Sequence, residues 1–414
     1  ISHRLTPSPQ SAWTRGTAQL IATEGDMTEQ LKAGVIGLGL LGSGHVQVLS
    51  ERPEVKITAV ADIRVDKANE IAGQAGIQGY SDYEQMLREQ VLDLVVVATP
   101  DALHREPMLA AVKAGVPNII LEKPLATTVP EAEEMFEAAE TAGTRVFVAF
   151  ANRGASPLDG ATYYVLQEGL LGDIVYGEVR VDDNISVPTR MWGDRSREWA
   201  AGSSSAWFLL SHVVDYLRWV LSPAEVREVY AISQKQVLEY TPDLYDAFLT
   251  FDSGAKFRVK GGWIARVDGL VEFTLSFSGS EGTLDYIKLP GFGQVEGWRA
   301  NVRQDVTTEE LLSHQENLQQ RGIPVRALFH RPPNTNPWME ADPALKRSLE
   351  AFTLPGDWFR LEQAFVDAVL EDTLTPSSWT SYGPLPTSID GLKQTQVVSA
   401  IVESAEQGRV VSFD

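Results

Sequence analysis

Residues 33–42 read AGVIGLGLLG, and how this stretch is read decides the fold. The small and apolar run Ala33–Ile36 enters Gly37-Leu38-Gly39-Leu40-Leu41-Gly42, after which HVQVLSER (45–52) carries apolar residues at helical spacing. A GxGxxG alone marks any tight turn. Between a strand and a helix it has a specific use: Gly37 allows the turn, Gly39 lets backbone approach a pyrophosphate, Gly42 permits close helix packing, and the helix start offers unpaired N–H groups. The expected ligand is a dinucleotide lying along Gly37, Leu38, Gly39, Leu40, Leu41 and Gly42. At the end of the next apolar run, VKITAVAD (55–62), Asp62 is placed to accept hydrogen bonds from an adenosine ribose and to repel a 2′-phosphate, which favours NAD. Ile63 and Arg64 continue that edge. Arg64 keeps NADP open, because a guanidinium there either meets a phosphate or lies along the adenine ring.

Working outward, short apolar runs alternate with helical stretches up to about residue 150. LDLVVVATP (92–100), NIILEK (118–123) and RVFVAF (145–150) read as strands, separated by VDKANEIAGQ, YEQMLREQ, HREPMLAAVKAG and PEAEEMFEAAETAG. Strands buried on both faces and joined by helices make a parallel, doubly wound sheet. Beyond residue 150 the longer alternating strands IVYGEVRVDD (174–183), AFLTFDSG (247–254), AKFRVKGGWIARV (255–267) and LVEFTLSFSG (270–279) suit an antiparallel sheet with one face on helices. The expected class is α/β: an extension over 1–30, a Rossmann domain over 31–150, and an α+β domain over 151–414 with a large, mainly antiparallel open sheet. Residues 288–350, rich in Pro and Asn, are expected to form irregular loops over a cleft.

Composition narrows the function. The chain of 414 residues has 35 Lys plus Arg against 56 Asp plus Glu, a formal charge of −21, which argues against nucleic-acid or anionic-membrane partners. Cysteine is absent, so disulfides, thiolate metal sites and cysteine nucleophiles are excluded together, in keeping with a reducing cytoplasm. No apolar run of 18 residues spans a bilayer. Neither HExxH, a compact His/Asp cluster, an acidic calcium loop nor a GxSxG elbow occurs, so no metal is expected.

Polar residues at the carboxyl ends of the later strands face the place where a nicotinamide lies. Thr99 and Pro100 end one strand, and His104 opens the next helix in a role either structural or cofactor-binding. Glu122 and Lys123 follow another buried strand. Lys123 is a candidate acid/base, because desolvation lowers an amine's pKa; the alternative is a lysine that snorkels to the surface. Asn152 and Arg153 lie at the start of the second domain, within reach of nicotinamide or substrate hydroxyls. Trp192 and Trp199 either stack on a sugar face or pack under a loop. In SSSAWFLLSHVVD (203–215), read as a helix, Phe208, His212 and Asp215 share one face. Asp215 either partners the His212 ring or is structural.

The combination of GVIGLGLLG, Asp62, VATPDALH (97–104), AAVKAGVPNIILEKPLA (110–126), FANRGASP (150–157), SHVVD (211–215) and the closing LPTSIDGLKQTQVVSAIVESAEQGRVVSF (385–413) resembles the Gfo/Idh/MocA family of NAD(P)-dependent oxidoreductases, which act on sugars, polyols and their derivatives. The resemblance implies that Lys123 lies beside the reacting carbinol, that His212 helps to move its proton, and that a homodimer or homotetramer forms through the C-terminal sheet. One departure stands out. Where family members commonly carry a glycine-rich lead-in and an aspartate four residues before the histidine, this chain has Ser203–Ser205 and Phe208. A phenyl ring neither orients a hydroxyl nor holds a positive charge on histidine, though with Trp207 it offers a flat wall to a sugar or aglycone. The leading expectation is hydride transfer between nicotinamide and a secondary carbinol of a carbohydrate-like substrate. The alternatives are a glycosidase that uses NAD for transient oxidation and elimination, and a nucleotide-binding regulator without turnover.

Overall fold

The computed structural model describes residues 30–290, 294–330, 346–354 and 356–413. Its first sheet is built from β1 (Leu31–Ile36), β2 (Val55–Ala61), β3 (Gln78–Tyr80), β4 (Leu94–Val97), β5 (Asn118–Leu121) and β6 (Arg145–Val148), in the order β3-β2-β1-β4-β5-β6 with every pair parallel. The helices α1 (Leu40–Ser50), α2 (Val65–Ala75), α3 (Tyr83–Glu89), α4 (Arg105–Lys113) and α5 (Val129–Ala142) connect the strands. All four residues of β4 and of β5 are buried, which explains why these runs are continuously apolar. The three-residue β3 has no sequence signal of its own. It pairs in register with Ala59–Ala61 at the sheet edge.

Among the described residues the second sheet has ten strands: β7 (Ile174–Asn184), β8 (Val226–Gln234), β9 (Leu244–Phe251), β10 (Lys256–Ala265), β11 (Val271–Gly279), β12 (Thr283–Leu289), β13 (Glu296–Asn301), β14 (Arg326–His330), β15 (Lys346–Thr353) and β16 (Val411–Ser412). All neighbours are antiparallel save β7 and β10. The helices of this half are α6 (Pro157–Gln167), α7 (Ser186–Arg190), α8 (Ser196–Gly202), α9 (Ser211–Val220), α10 (Thr308–Gln320), α11 (Arg360–Leu370) and α12 (Ser388–Gln407). Of these, α6, α9 and α12 share the core of the sheet's inner face, while Tyr176, Tyr230, Ile232, Phe248, Ile287 and Phe352 stay exposed. The helix α12 starts in a capping box of Thr387 and Asp390 and packs on both α5 and β8, tying the two sheets together.

Two sequence expectations are corrected. Residues 288–350 are not a run of loops: β13, α10, β14 and the start of β15 are regular, and α10 begins with a capping box of Thr307 and Glu310 that overrides the polar texture. Positions 331–345 of that stretch lie outside the described residues, as does most of the expected extension over 1–30. Second, SSSAWFLLSHVVD is not one α-helix, because Ala206–Leu210 forms a π-turn that leads into α9. A π-turn inserts a residue, so the simple i, i+4 spacing of Phe208 and His212 does not hold.

Candidate active site

The turn after β1 has the shape that a pyrophosphate requires. Gly37 has φ +89°, and a Cβ there would lie 2.5 Å from the Ala98 carbonyl oxygen; one on Gly42 would collide with the Gly37 carbonyl. Nothing lies within 4 Å of the position of a Cβ on Gly39, so that backbone faces open space. Leu38 is buried beneath the turn, Leu41 half-buried and Leu40 exposed on it. Asp62 accepts from the Leu38 N–H at 2.8 Å and from the Arg64 N–H at 2.8 Å, while the Arg64 Nε donates to it at 3.1 Å. Burial pushes the Asp62 carboxyl up, but the bonds from Arg64 and Leu38 outweigh this and hold it below the usual range. Ile63 is exposed beside it. A ribose edge and a pyrophosphate cradle are therefore contiguous, and the residues fit the adenosine half of NAD.

At the carboxyl edge, His104 joins two loops. Its Nδ1 faces the Pro124 carbonyl at 2.7 Å and its Nε2 faces the Thr99 carbonyl at 2.9 Å, while Thr99 Oγ1 donates to the Leu103 carbonyl. Pro100 is exposed on that rim. Glu122 is buried and engaged with His45 Nε2 at 2.9 Å. Behind it, Glu362 lies 2.9 Å from His45 Nδ1, at an angle outside the hydrogen-bond range. Burial works against the His45 cation, yet the charge of Glu362 and the contacts with Glu122 raise its pKa to about 10.

Lys123 does not snorkel: it is 5% exposed, and its Nζ donates to the Phe208 carbonyl at 3.0 Å from 3.8 Å above the Phe208 ring. Burial lowers its pKa, opposed by the charges of Asp101, Glu122 and Asp183. His212 is also buried; desolvation first, then the charges of Lys123 and Lys288, hold it neutral well below the ordinary histidine range. Its ring meets the edge of Trp358 at 5.8 Å. The structure thus brings Lys123, Phe208 and His212 together from the turn after β5, the π-turn and α9. Trp199 stands edge-on to Phe208 at 4.8 Å and tilts against Trp192 at 5.2 Å and Trp263 at 5.4 Å, which makes an aromatic wall.

Other candidates have different partners. Arg153 forms a two-pronged bond to Asp215 at 2.8 and 2.5 Å and pairs with Asp390 at 3.2 Å. Asp215 is therefore committed to Arg153 and not to the His212 ring. The Asn152 carbonyl accepts from Lys288, and its side-chain Oδ1 is buried without a hydrogen-bond partner among the described residues. Sequence reasoning missed Asp101, Asp183, Trp263 and Trp358. For Asp183 a signal existed: it continues the inward-facing alternation of Val179 and Val181 on β7 with an acid. No cluster able to hold a metal ion occurs among the described residues, nor any helix long and apolar enough to cross a membrane.

Residues 31–150 match the oxidoreductase family with an NAD-binding Rossmann fold, and residues 163–285 match the GFO/IDH/MocA C-terminal domain. The chain belongs to the Gfo/Idh/MocA oxidoreductase family. Its parallel sheet is the NAD-binding unit of that family. A relative, inositol 2-dehydrogenase of Rubrobacter xylanophilus, is 25% identical over 286 residues, covering 67% of this chain and 77% of that protein. Levoglucosan dehydrogenase of Pseudarthrobacter phenanthrenivorans is 29% identical over 203 residues, covering 47% of this chain and 52% of its own length. Among solved structures, an oxidoreductase domain protein from Kribbella flavida superposes with a TM-score of 0.70 at 21% identity, covering 94% of this chain and 100% of that one.

Proposed function

We propose that this protein is an NAD-dependent dehydrogenase of a secondary hydroxyl on a sugar, polyol or glycoside. The observation that carries the reading is the buried Lys123 amine at the carboxyl end of β5, set against neutral His212 and an aromatic wall. The names of the inositol and levoglucosan dehydrogenases among its relatives support the carbohydrate class. The bound dinucleotide supplies the hydride acceptor or donor. The chain's own work is to place the carbinol and move its proton. With its pKa lowered, Lys123 takes the hydroxyl proton in oxidation and returns it in reduction, while its positive form neutralises charge developing on the substrate oxygen. Neutral His212 accepts a hydrogen bond from a substrate hydroxyl or passes the proton onward. Trp199 and Phe208 present an apolar surface to a sugar face, and Trp358 closes the His212 side.

The test is calorimetric titration with NAD and NADP, followed by absorbance of NADH while inositols, hexoses and glycosides are added. Selective NAD binding with NADH formed on one class supports the reading. Tight NAD binding with no net NADH overturns it; product analysis then separates a glycosidase, which releases free sugar, from a regulator, which releases none. The exposed row of Tyr176, Tyr230, Ile232 and Phe248 on the second sheet supports association of identical chains through that face. Light scattering of the purified protein decides this, and a monomer at micromolar concentration removes the assignment.

A further inference from the structure

We propose that Asp183, on β7, is the positioning carboxylate for Lys123 in this chain. The proposal rests on the dehydrogenase reading above and names a residue it did not include.

Three acids exert charge on Lys123: Asp101, Glu122 and Asp183. Asp101 is engaged by the Ser203 hydroxyl and by Trp199 Nε1 at 3.4 Å, and Glu122 is held by His45 at 2.9 Å. Asp183 differs. Among the described residues its carboxyl receives one hydrogen bond, from Trp263 Nε1 to Oδ2 at 3.2 Å. Its neighbour Asp182 points to the other face of the sheet, where Lys260 donates at 2.8 Å and Arg180 lies at 3.4 Å. Period-two alternation therefore directs Asp183 inward after Val179 and Val181, and it is 5% exposed. An acid that continues an apolar face with a single donor is costly unless a charge nearby uses it. Trp263 also stands 6.0 Å from the Phe208 ring, which lies under the Lys123 ammonium, so the carboxyl is built into the same wall.

In oxidation the substrate O–H bond breaks as an N–H bond forms at Lys123, and the ammonium produced is balanced by the Asp183 carboxylate. Reduction reverses the transfer. Burial pushes the Asp183 carboxyl up to about 7 against the opposing charge of Lys123, so its charge changes within the neutral range.

Asp183→Asn keeps an amide oxygen for Trp263 and removes the charge; Asp183→Ser is a second uncharged variant should the first not fold. The first readout needs no substrate: the pH at which Lys123 is half-reactive in reductive methylation, followed by mass spectrometry. Loss of the carboxylate is expected to lower that midpoint by about one pH unit, and Asp183→Glu to restore part of the shift. An unchanged midpoint overturns the proposal. In turnover, kcat is expected to fall about 10- to 100-fold with NAD affinity unchanged, and the limb of kcat/KM near pH 7 to disappear. Full kcat with an unaltered pH profile overturns it as well. If the wild type oxidises no carbinol, the dehydrogenase reading fails by itself, and the Lys123 midpoint still decides whether Asp183 governs the lysine.

Discussion

The ammonium of Lys123 is held by a single residue in two ways: the Phe208 carbonyl accepts a hydrogen bond from it at 3.0 Å, and the Phe208 ring lies 3.8 Å beneath it. The first contact depends on the π-turn at Ala206–Leu210, whose irregular ladder lets a main-chain carbonyl face outward. The second is a cation–π contact of about 0.5–2 kcal/mol that also keeps water from one side of the amine. Phe208 thus positions the lysine without supplying a negative charge.

Lys123→Met removes the group proposed to receive the carbinol proton and leaves the glycine turn untouched. Turnover is expected to drop about 10²- to 10⁴-fold while NAD binding stays within about twofold. Parallel calorimetry and steady-state kinetics check this, and equal losses in affinity and turnover would mean that Lys123 serves the cofactor instead.

Asp62 has to choose between Arg64 and a ribose. Its carboxylate already takes the Leu38 N–H, so it is held at the turn even when the half-exposed Arg64 side chain swings away. Asp62→Ser is expected to weaken NAD about tenfold and to shrink the discrimination against NADP, since a hydroxyl keeps some bonding but loses the charge that repels a 2′-phosphate. Competition binding with both dinucleotides gives the ratio; an unchanged preference would assign selectivity to another residue.

His45 neutralises two buried acids from distant parts of the chain, Glu122 and Glu362. Replacement by Gln removes the cation between them and is expected to cost about 3–5 kcal/mol. Its pKa is raised from 6.5 to about 10, so the folded state binds the extra proton. The stabilisation is accordingly complete below about 6.5 and lost as pH climbs through about 10. Thermal melts of wild type and His45→Gln across that window should show the gap between their midpoints narrowing with rising pH. A constant gap would mean that packing against Phe359, 5.3 Å from the imidazole, is what His45 contributes.

Ser204 adopts φ +94°, a left-handed conformation that side chains rarely take, just ahead of the π-turn. Strain of this kind amounts to about 1–3 kcal/mol, part of which a glycine loses again through its freer unfolded chain. Ser204→Gly is expected to raise stability by about 1 kcal/mol, read as a higher denaturation midpoint. A lower midpoint would show that the buried hydroxyl does more than fill space.

Much was legible locally. GxGxxG after an apolar run, continuous apolar strands and intervening helical periodicity define the parallel sheet, because each signal lies within one element. The place of Lys123 was legible for the same reason: a lysine two residues after NIIL lies just past a strand's carboxyl end. Residues 288–350 were not, since capping boxes and edge pairing outweighed a loop-like composition. The ion pairs of Arg153 with Asp215 and of His45 with Glu362 join positions 62 and 317 residues apart, for which no local pattern exists.

By itself the sequence located the glycine turn, the acid that follows it, and the lysine and histidine that the proposed function uses, because periodicity and short motifs act over a few residues. The partners of those groups were decided only by tertiary structure. Asp215 went to Arg153, the Phe208 carbonyl turned to Lys123 through a π-turn, and Asp183 took a hydrogen bond from Trp263 on a neighbouring element. The physical reason is that buried charge must be matched by whatever group packing brings near, and packing is a property of the whole chain.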